Sequence, residues 1–164
     1  MAVLDTLADL TLVQTDLPTL LRDVVAELAR KADSPAAEVR LDVSAELPPV
    51  LAAPDKFMQA LRAVLDNARR YTPPTGRIEL RAVSDGPRVT VEIMDTGIGI
   101  APENLNRVFD RFYKVDEARG VGCGAGLGLP IARRIVELHG GEMSLESALG
   151  KGTTVRISLN AARP

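Results

Sequence analysis

The stretch DTGIGI, residues 95–100, is the part of this sequence around which the rest can be arranged. It follows a run of alternating apolar and polar residues, and its two glycines, Gly97 and Gly99, permit close approaches that a Cβ would block. A predicted helix carrying Asn67 precedes it, and a second glycine run, GAGLGL at residues 124–129, follows it. Each motif stands at a predicted junction of elements, and this order indicates one binding site assembled from three parts of the chain.

Composition limits the classes to which the chain could belong. Its 164 residues suit one domain with a sizeable core, and because only 3% are aromatic the core must be aliphatic. The net charge of −2 and the absence of a basic run argue against a nucleic-acid partner. The single Cys123 allows no internal disulfide. Without a signal peptide or an apolar run of about 18 residues, the chain is expected to be soluble, although it could be part of something longer.

Apolar spacing predicts helices packed on one face of a mixed sheet, an α/β two-layer sandwich. The predicted helices are one opened by Asp16 and Pro18, one from Pro54 to the prolines at 73 and 74, a short one over 102–108 and one over 130–139. The predicted strands are 11–15, 39–44, a hairpin of 77–84 with 88–94, and a hairpin of 143–146 with 153–159. Residues 113–124, rich in glycine and charge, are predicted to form a loop.

The helix that bears Asn67 has a second face beside its apolar stripe. Ala63, Asn67, Arg70 and Tyr71 follow one another at helical spacing, so they line up toward a neighbour or a ligand. An Asn oxygen suits Mg²⁺, which takes further ligands from phosphates, while Arg70 could meet a phosphate and Tyr71 a base. The alternative is structural: Arg70 pairs with Asp66, and Tyr71 ends the helix on the core.

The two glycine motifs also have two interpretations each. A carboxylate at a strand end, Asp95, could accept a hydrogen bond from the exocyclic amine of adenine, or DTG could be only a turn. Small residues before the helix at Pro130 leave N–H groups free for anionic oxygens, or they form a linker with capping glycines. No predicted strand precedes GAGLGL and no GK[ST] ends it, which excludes the dinucleotide fold and the P-loop. With a further glycine turn at 150–153, the motifs together favour an ATP site.

Five segments carry a specific resemblance. LDNARRYTP, DTGIGI, RVFDRFYK, GAGLGLPIARRIVELHGG and GKGTTVRI resemble the N, G1, F, G2 and G3 boxes of the catalytic ATP-binding domain of sensor histidine kinases. The resemblance covers about residues 12–159. It implies the Bergerat fold, a mixed and mostly antiparallel sheet covered on one face by helices. It also implies that residues 12–164 are the catalytic domain and that residues 1–11 are the tail of a preceding dimerisation helix.

The resemblance further implies which residues bind ATP and Mg²⁺. The implied set is Asn67, Arg70, Tyr71, Asp95, Gly97, Gly99, Ile100, Phe109, Phe112, Lys114, Gly124, Gly126, Leu127, Gly128, Leu129 and Thr153. Within it, Asn67 would hold Mg²⁺, Arg70 and Lys114 would reach phosphate, and these three would form the catalytic group. Asp95 would read the adenine amine, between Tyr71 and the G1 glycines. Thr153 would lie near the adenine.

Apart from Ile100, which belongs to DTGIGI, the remaining members of the set lie in or beside an implied ATP lid. Phe109 and Phe112 would anchor its base, and the glycines of residues 124–128 would close it onto the triphosphate.

Two departures from the family pattern restrict the activity. Ala63 replaces both the second Asn common in these kinases and the glutamate that activates water in related gyrase-type and chaperone-type ATPases. The only histidine, His139, is followed by two glycines at a predicted helix end, where a histidine is electrostatically favourable, so a structural role is expected. The γ-phosphoryl group would therefore go to a histidine on a separate dimerisation domain and only indirectly to a response regulator. The isolated domain is expected to be a monomer on the cytoplasmic side of a membrane that anchors its parent.

Three rival functions keep the same fold. An anti-sigma-factor-like kinase would phosphorylate serine, although the RVFDRFYK segment is closer to sensor kinases. A switch module would bind nucleotide without catalysis, against which the intact Asn67 and Asp95 argue. An ATPase that dimerises on ATP is disfavoured by Ala63.

Overall fold

The computed structural model of the chain describes residues 10–31, 36–44, 46–105 and 128–162. Within these ranges it contains four helices and seven strands. In chain order they are β1 Val13–Thr15, α1 Leu17–Arg30, β2 Glu38–Val43, β3 Val50–Ala52, α2 Pro54–Tyr71, β4 Arg77–Asp85, β5 Arg88–Asp95, α3 Pro102–Leu105, α4 Gly128–Leu138, β6 Glu142–Ala148 and β7 Gly152–Asn160. No helix among the described residues has the length and apolarity needed to cross a membrane.

Five strands form one mixed sheet in the order β2-β4-β5-β7-β6. Only β2 and β4 are parallel, and the other neighbouring pairs are antiparallel. Both predicted hairpins are confirmed, and their strands extend one to two residues further than predicted at most ends. The register places Asp95 at the end of β5 directly opposite Thr153 at the start of β7. The same edge of the sheet therefore carries the DTGIGI loop and the last glycine turn.

The helices cover one face of this sheet because alternate strand residues are apolar. In β5 the odd-numbered residues Val89, Val91 and Ile93 are buried, while their even-numbered neighbours are partly exposed. The stripe predicted for α2, including the fully buried Phe57 and Leu61, packs on this side. Burial of such side chains supplies most of the stability that favours a single arrangement of the layers.

The opposite face of the sheet is polar and carries ion pairs across the strands. Arg156 of β7 lies 2.7 Å from Glu92 of β5 and 2.9 Å from Glu146 of β6. Arg81 of β4 lies 3.7 Å from Asp42 of β2. Cross-strand pairs of this kind contribute modestly to stability. The predicted α/β two-layer sandwich is confirmed.

A second, two-stranded sheet was not predicted. β1 pairs with β3 in antiparallel fashion, and Val50 of β3 also bridges to Ala161 after β7. Three residues directly after Pro48 and Pro49 are too few to show alternation. β3 can therefore be identified only from its pairing partners, which lie 35 or more residues away along the chain.

The predicted boundaries of the last helix were wrong. α4 begins at Gly128 and ends at Leu138, so two residues of the GAGLGL motif belong to its first turn. Its buried residues are Leu129, Ala132, Ile135 and Val136, whereas Ile131 and Leu138 are partly buried and pack against the core. The remainder of the predicted short helix, the predicted loop over 113–124 and the predicted tail up to residue 9 lie outside the described residues.

Candidate functional site

Asp95 has one carboxylate oxygen anchored and the other available. Its Oδ1 accepts hydrogen bonds from the backbone N–H of Gly97 at 2.9 Å and of Thr153 at 3.2 Å. No described residue donates a hydrogen bond to Oδ2. The side chain lies on the helix-covered side of the sheet, as do Ile93 and Val155. Asp95 is therefore held rigidly by two separate loops while it presents an acceptor to any ligand at this edge.

The environment of Asp95 alters its protonation. Burial raises the pKa of the carboxyl above the usual range of an aspartate, and the hydrogen bonds from Gly97 and Thr153 partly offset this effect. A carboxylate that is partly desolvated forms stronger hydrogen bonds with donors than one in water does.

The two glycines of the DTGIGI loop are needed because protein backbone lies against them. A Cβ on Gly97 would lie 2.4 Å from the carbonyl oxygen of Tyr71, at the end of α2. Gly99 has a φ of +75°, and a Cβ there would lie 2.0 Å from the carbonyl oxygen of Ala148, at the end of β6. Ile98 links both sides, since its N–H donates to Tyr71 at 3.2 Å and its carbonyl accepts from Gly150 at 2.8 Å. The loop is thus clamped between α2 and the turn that joins β6 to β7.

Ser147, near the end of β6, joins the same loops and was missed by the sequence analysis. Its Oγ accepts a hydrogen bond from the N–H of Ile100 at 2.8 Å and donates to the carbonyl oxygen of Gly152 at 2.9 Å. It also lies 2.8 Å from Thr153 Oγ1. A serine in an alternating strand gives no sign in the sequence that its hydroxyl is engaged in this way.

The α2 residues predicted to meet metal and phosphate lie in the last turns of that helix. Asn67 and Tyr71 are half-buried, and Arg70 is exposed. Among the described residues, no hydrogen bond engages the side chain of Asn67. The alternative ion pair between Arg70 and Asp66 is not formed either. Within the described part of the chain, no side chain therefore binds the polar groups of Asn67 or Arg70.

The start of α4 lies beside the same helix. A Cβ on Gly128 would lie 3.9 Å from the carbonyl oxygen of Ala63 and 4.0 Å from its Cβ, so α2 and the first turn of α4 are neighbours. Leu129 and Ile100, which belong to the implied ATP-binding set, are buried in the hydrophobic core. The other implied residues, Phe109, Phe112, Lys114, Gly124, Gly126 and Leu127, lie outside the described residues.

The expected structural role of His139 has a different cause from the predicted one. The ring is buried, with an exposed fraction of 2%, and it packs against Phe57 with ring centroids 5.7 Å apart. Its Nε2 accepts from the N–H of Ala53 at 3.0 Å, so the proton resides on Nδ1, which donates to Ile135 at 2.7 Å. A neutral imidazole thus joins the end of α4 to the start of α2, where the sequence had suggested a charge at a helix terminus.

Comparisons with known proteins agree with this architecture. Sensor protein SrrB of Staphylococcus aureus is 50% identical over 106 residues, which are 64% of this chain and 18% of that protein. The full-length ShkA structure in complex with AMPPNP is 32% identical, with a TM-score of 0.82 over 95% of this chain and 33% of that one. The mycobacterial sensor histidine kinase MprB is 27% identical, with a TM-score of 0.78 over 94% of this chain and the whole of the other.

The chain thus spans about a fifth of the length of the SrrB proteins that it matches. A family model described as "Histidine kinase-, DNA gyrase B-, and HSP90-like ATPase" matches residues 52–163, which include every described part of the site. That match covers more than half of the chain, which therefore belongs to the family of histidine kinase-, DNA gyrase B- and HSP90-like ATPases.

Proposed function

We propose that this chain binds Mg-ATP at the edge formed by Asp95, the DTGIGI loop, Thr153 and the end of α2. In this proposal it donates the γ-phosphoryl group to a histidine on a separate dimerisation domain. The observation that carries the proposal is the available Oδ2 of Asp95, whose partner oxygen is held by two backbone N–H groups. The names of the relatives, which are sensor proteins and sensor histidine kinases, support the kinase rather than another ATPase of the family.

Recognition of adenine follows from the polarity of this position. The exocyclic amine of adenine is a donor, and Asp95 Oδ2 is an acceptor that no described residue occupies. Because both loops that flank Asp95 are clamped by backbone contacts, little ordering is needed when the base arrives. The ShkA structure, which is a complex with AMPPNP, gives further support to a nucleotide as the ligand.

Phosphate and metal would lie toward α2 and the start of α4. Asn67 offers one neutral oxygen, which suits Mg²⁺ since this ion takes its remaining ligands from phosphate oxygens and water. When bound, Mg²⁺ would neutralise charge on the phosphates. Arg70 lies one helical turn further along, and its exposed guanidinium can reach a phosphate oxygen. The resemblance implies that Lys114 and the backbone amides of the lid would also bind phosphate oxygens. Catalysis in this proposal consists of positioning and charge neutralisation.

The residue at position 63 favours transfer to a protein over hydrolysis. Ala63 lies beside the start of α4, and its methyl group can neither orient nor deprotonate a water molecule. The nucleophile must then come from elsewhere, and a histidine on the dimerisation domain of a longer kinase satisfies this need. Residues 12–164 would form the catalytic domain, on the cytoplasmic side of a membrane-anchored parent that signals through a response regulator.

Changing Asp95→Asn is expected to lower the affinity for Mg-ATP roughly ten- to a hundredfold, since a hydrogen bond to a charged group is worth about 1.5–3 kcal/mol. The Asn oxygen can keep both backbone hydrogen bonds of Oδ1, so its NH₂ replaces Oδ2 and presents a donor to the donor of the base. Calorimetric titration with ATP and ADP measures the effect. The matched control is Asp85→Asn on the exposed end of the same hairpin. Equal affinities of the two variants would remove Asp95 from the site.

The same Asp95→Asn variant should be at least as stable as the original chain at neutral pH. The folded-state pKa of Asp95 is raised, so its contribution to stability is present at low pH and is lost as the pH rises through that pKa. At neutral pH the buried charge costs stability, and a neutral amide removes this cost. Thermal unfolding without nucleotide tests the expectation, and a marked fall in melting temperature would contradict it.

The affinity for ATP is expected to fall on acidification. The fall should occur at a higher pH than the ordinary pKa of an aspartate would give. As the pH falls through the raised pKa of Asp95, Oδ2 loses its acceptor character for the adenine amine. Binding should be measured across this range for the original chain and for Asp95→Asn. Titration of the phosphates affects both proteins, so the difference between the two curves isolates Asp95. Parallel curves would show that this carboxyl does not read the base.

A further inference from the structure

We propose that Ser147 is a positioning residue that turns the hydroxyl proton of Thr153 away from the bound base. The base-reading edge then presents only hydrogen-bond acceptors to position 6 of a purine, and it rejects 6-oxo purines more strongly than Asp95 alone would. This inference rests on the proposed function, because it concerns specificity at the same nucleotide site.

The argument begins with the hydrogen-bonding capacity of one hydroxyl group. A serine hydroxyl has one proton to donate and two lone pairs with which to accept. The N–H of Ile100 can only donate, so it occupies one lone pair of Ser147 Oγ at 2.8 Å. The carbonyl oxygen of Gly152 can only accept, so it takes the single proton at 2.9 Å. One lone pair is left, and the remaining neighbour is Thr153 Oγ1 at 2.8 Å.

Thr153 must therefore be the donor in its contact with Ser147. Its only hydroxyl proton points across from β7 to Ser147 on β6, and its two oxygen lone pairs remain for other partners. Thr153 pairs with Asp95 across the two strands, and both side chains lie on the helix-covered side of the sheet. Asp95 Oδ2 and Thr153 Oγ1 thus offer two acceptors and, between these two side chains, no donor.

Such an edge distinguishes purines by the group at position 6. Adenine carries an amine there, which donates to acceptors. Hypoxanthine carries a carbonyl, which would face them without a proton in between. A site discriminates strongly between two ligands when the wrong ligand leaves a buried polar group without a hydrogen-bond partner. A difference in shape alone discriminates less. If the Thr153 hydroxyl were free to rotate, it could donate to a 6-oxo group and relieve part of the mismatch.

The test compares three magnesium-bound triphosphates by calorimetric titration: ATP, purine riboside triphosphate and inosine triphosphate. Purine riboside lacks any group at position 6 and so measures the lost donor alone. Inosine adds the opposing acceptor at position 6 and also carries a proton on N1 that purine riboside lacks. Ser147→Ala should raise the affinity for inosine triphosphate, relative to purine riboside triphosphate, by roughly fivefold, the equivalent of about 1 kcal/mol. Its lost contacts to Ile100 and Gly152 should weaken all three nucleotides together and cancel in this ratio. Ser147→Thr, which keeps the hydroxyl, should keep the original ratio.

A second variant tests the direction of the effect and whether it depends on the Thr153 hydroxyl. Thr153→Val removes the acceptor, so it should also raise the affinity for inosine triphosphate relative to purine riboside triphosphate. If Thr153 instead donated to the base, the same substitution would lower this ratio. In the Thr153→Val background, Ser147→Ala should have no further effect on the ratio. A ratio that is unchanged by Ser147→Ala, or that changes equally without the Thr153 hydroxyl, overturns the inference and leaves ATP binding standing. Failure of the original chain to bind ATP would overturn the proposed function and the inference with it.

Discussion

Substituting Gly152 by alanine is expected to destabilise the fold by about 3–5 kcal/mol, a large part of the 5–15 kcal/mol typical of a domain. Gly152 has a φ of +91°, and a Cβ built on it would lie 1.9 Å from the carbonyl oxygen of Asp95. The obstacle is backbone of the neighbouring strand, so relief requires β5 and β7 to separate where Thr153 meets Asp95. The fold and the base-reading edge should therefore fail together, which denaturant unfolding and ATP titration can measure.

Gly150 provides a matched control two residues away in the same turn. Its φ of +77° is also in the left-handed region, but a Cβ there would meet no atom within 4 Å. Gly150→Ala should therefore cost only the conformational penalty, about 1–2 kcal/mol, and should leave the affinity for ATP unchanged. If both substitutions cost the same, the close approach of Gly152 to Asp95 is not a constraint on the fold.

The glycines show how far the sequence could be interpreted. The sequence suggested that Gly97 and Gly99 permit close approaches that a Cβ would block, at the place where the resemblance implies adenine. The structure adds a second reason: Gly97 and Gly99 lie against the carbonyl groups of Tyr71 and Ala148. A sequence shows that a Cβ is absent, but the atom that needs the space belongs to a segment 26 or more residues away.

Patterns that repeat along the chain were predictable because burial dictates them locally. The stripe on α2 and the strict alternation in both hairpins led to the correct layers. Single long-range hydrogen bonds left no such pattern. His139 contacts Ala53 across 86 positions, and Ser147 contacts Ile100 across 47, so neither partner can be identified from composition or spacing. The specificity proposed for Ser147 depends on such contacts, whereas Asn67 and Asp95 could be named from motifs.

The 164-residue chain on its own is expected to bind Mg-ATP but scarcely to turn it over. Ala63 cannot orient a water molecule, and the only histidine, His139, has an exposed fraction of 2% with both ring nitrogens engaged. Without a positioned nucleophile, transfer loses a proximity contribution that can reach about 7–11 kcal/mol, or five to eight orders of magnitude in rate. Incubation with γ-labelled ATP should leave the chain unlabelled.

Adding a matching dimerisation domain that carries an acceptor histidine should place the label on that partner alone. The bond formed should be acid-labile, as phosphohistidine is, whereas acid-stable label on a serine-bearing partner would favour the anti-sigma-like alternative. Asp95→Asn should reduce labelling of the partner at subsaturating ATP, and Asp85→Asn should not, which ties the transfer to this site. Hydrolysis by the chain alone near 1 s⁻¹ or faster, or label on His139, would contradict the expectation. Either result would mean that a nucleophile reaches the γ-phosphate without the partner, although neither Ala63 nor the engaged ring of His139 can supply one.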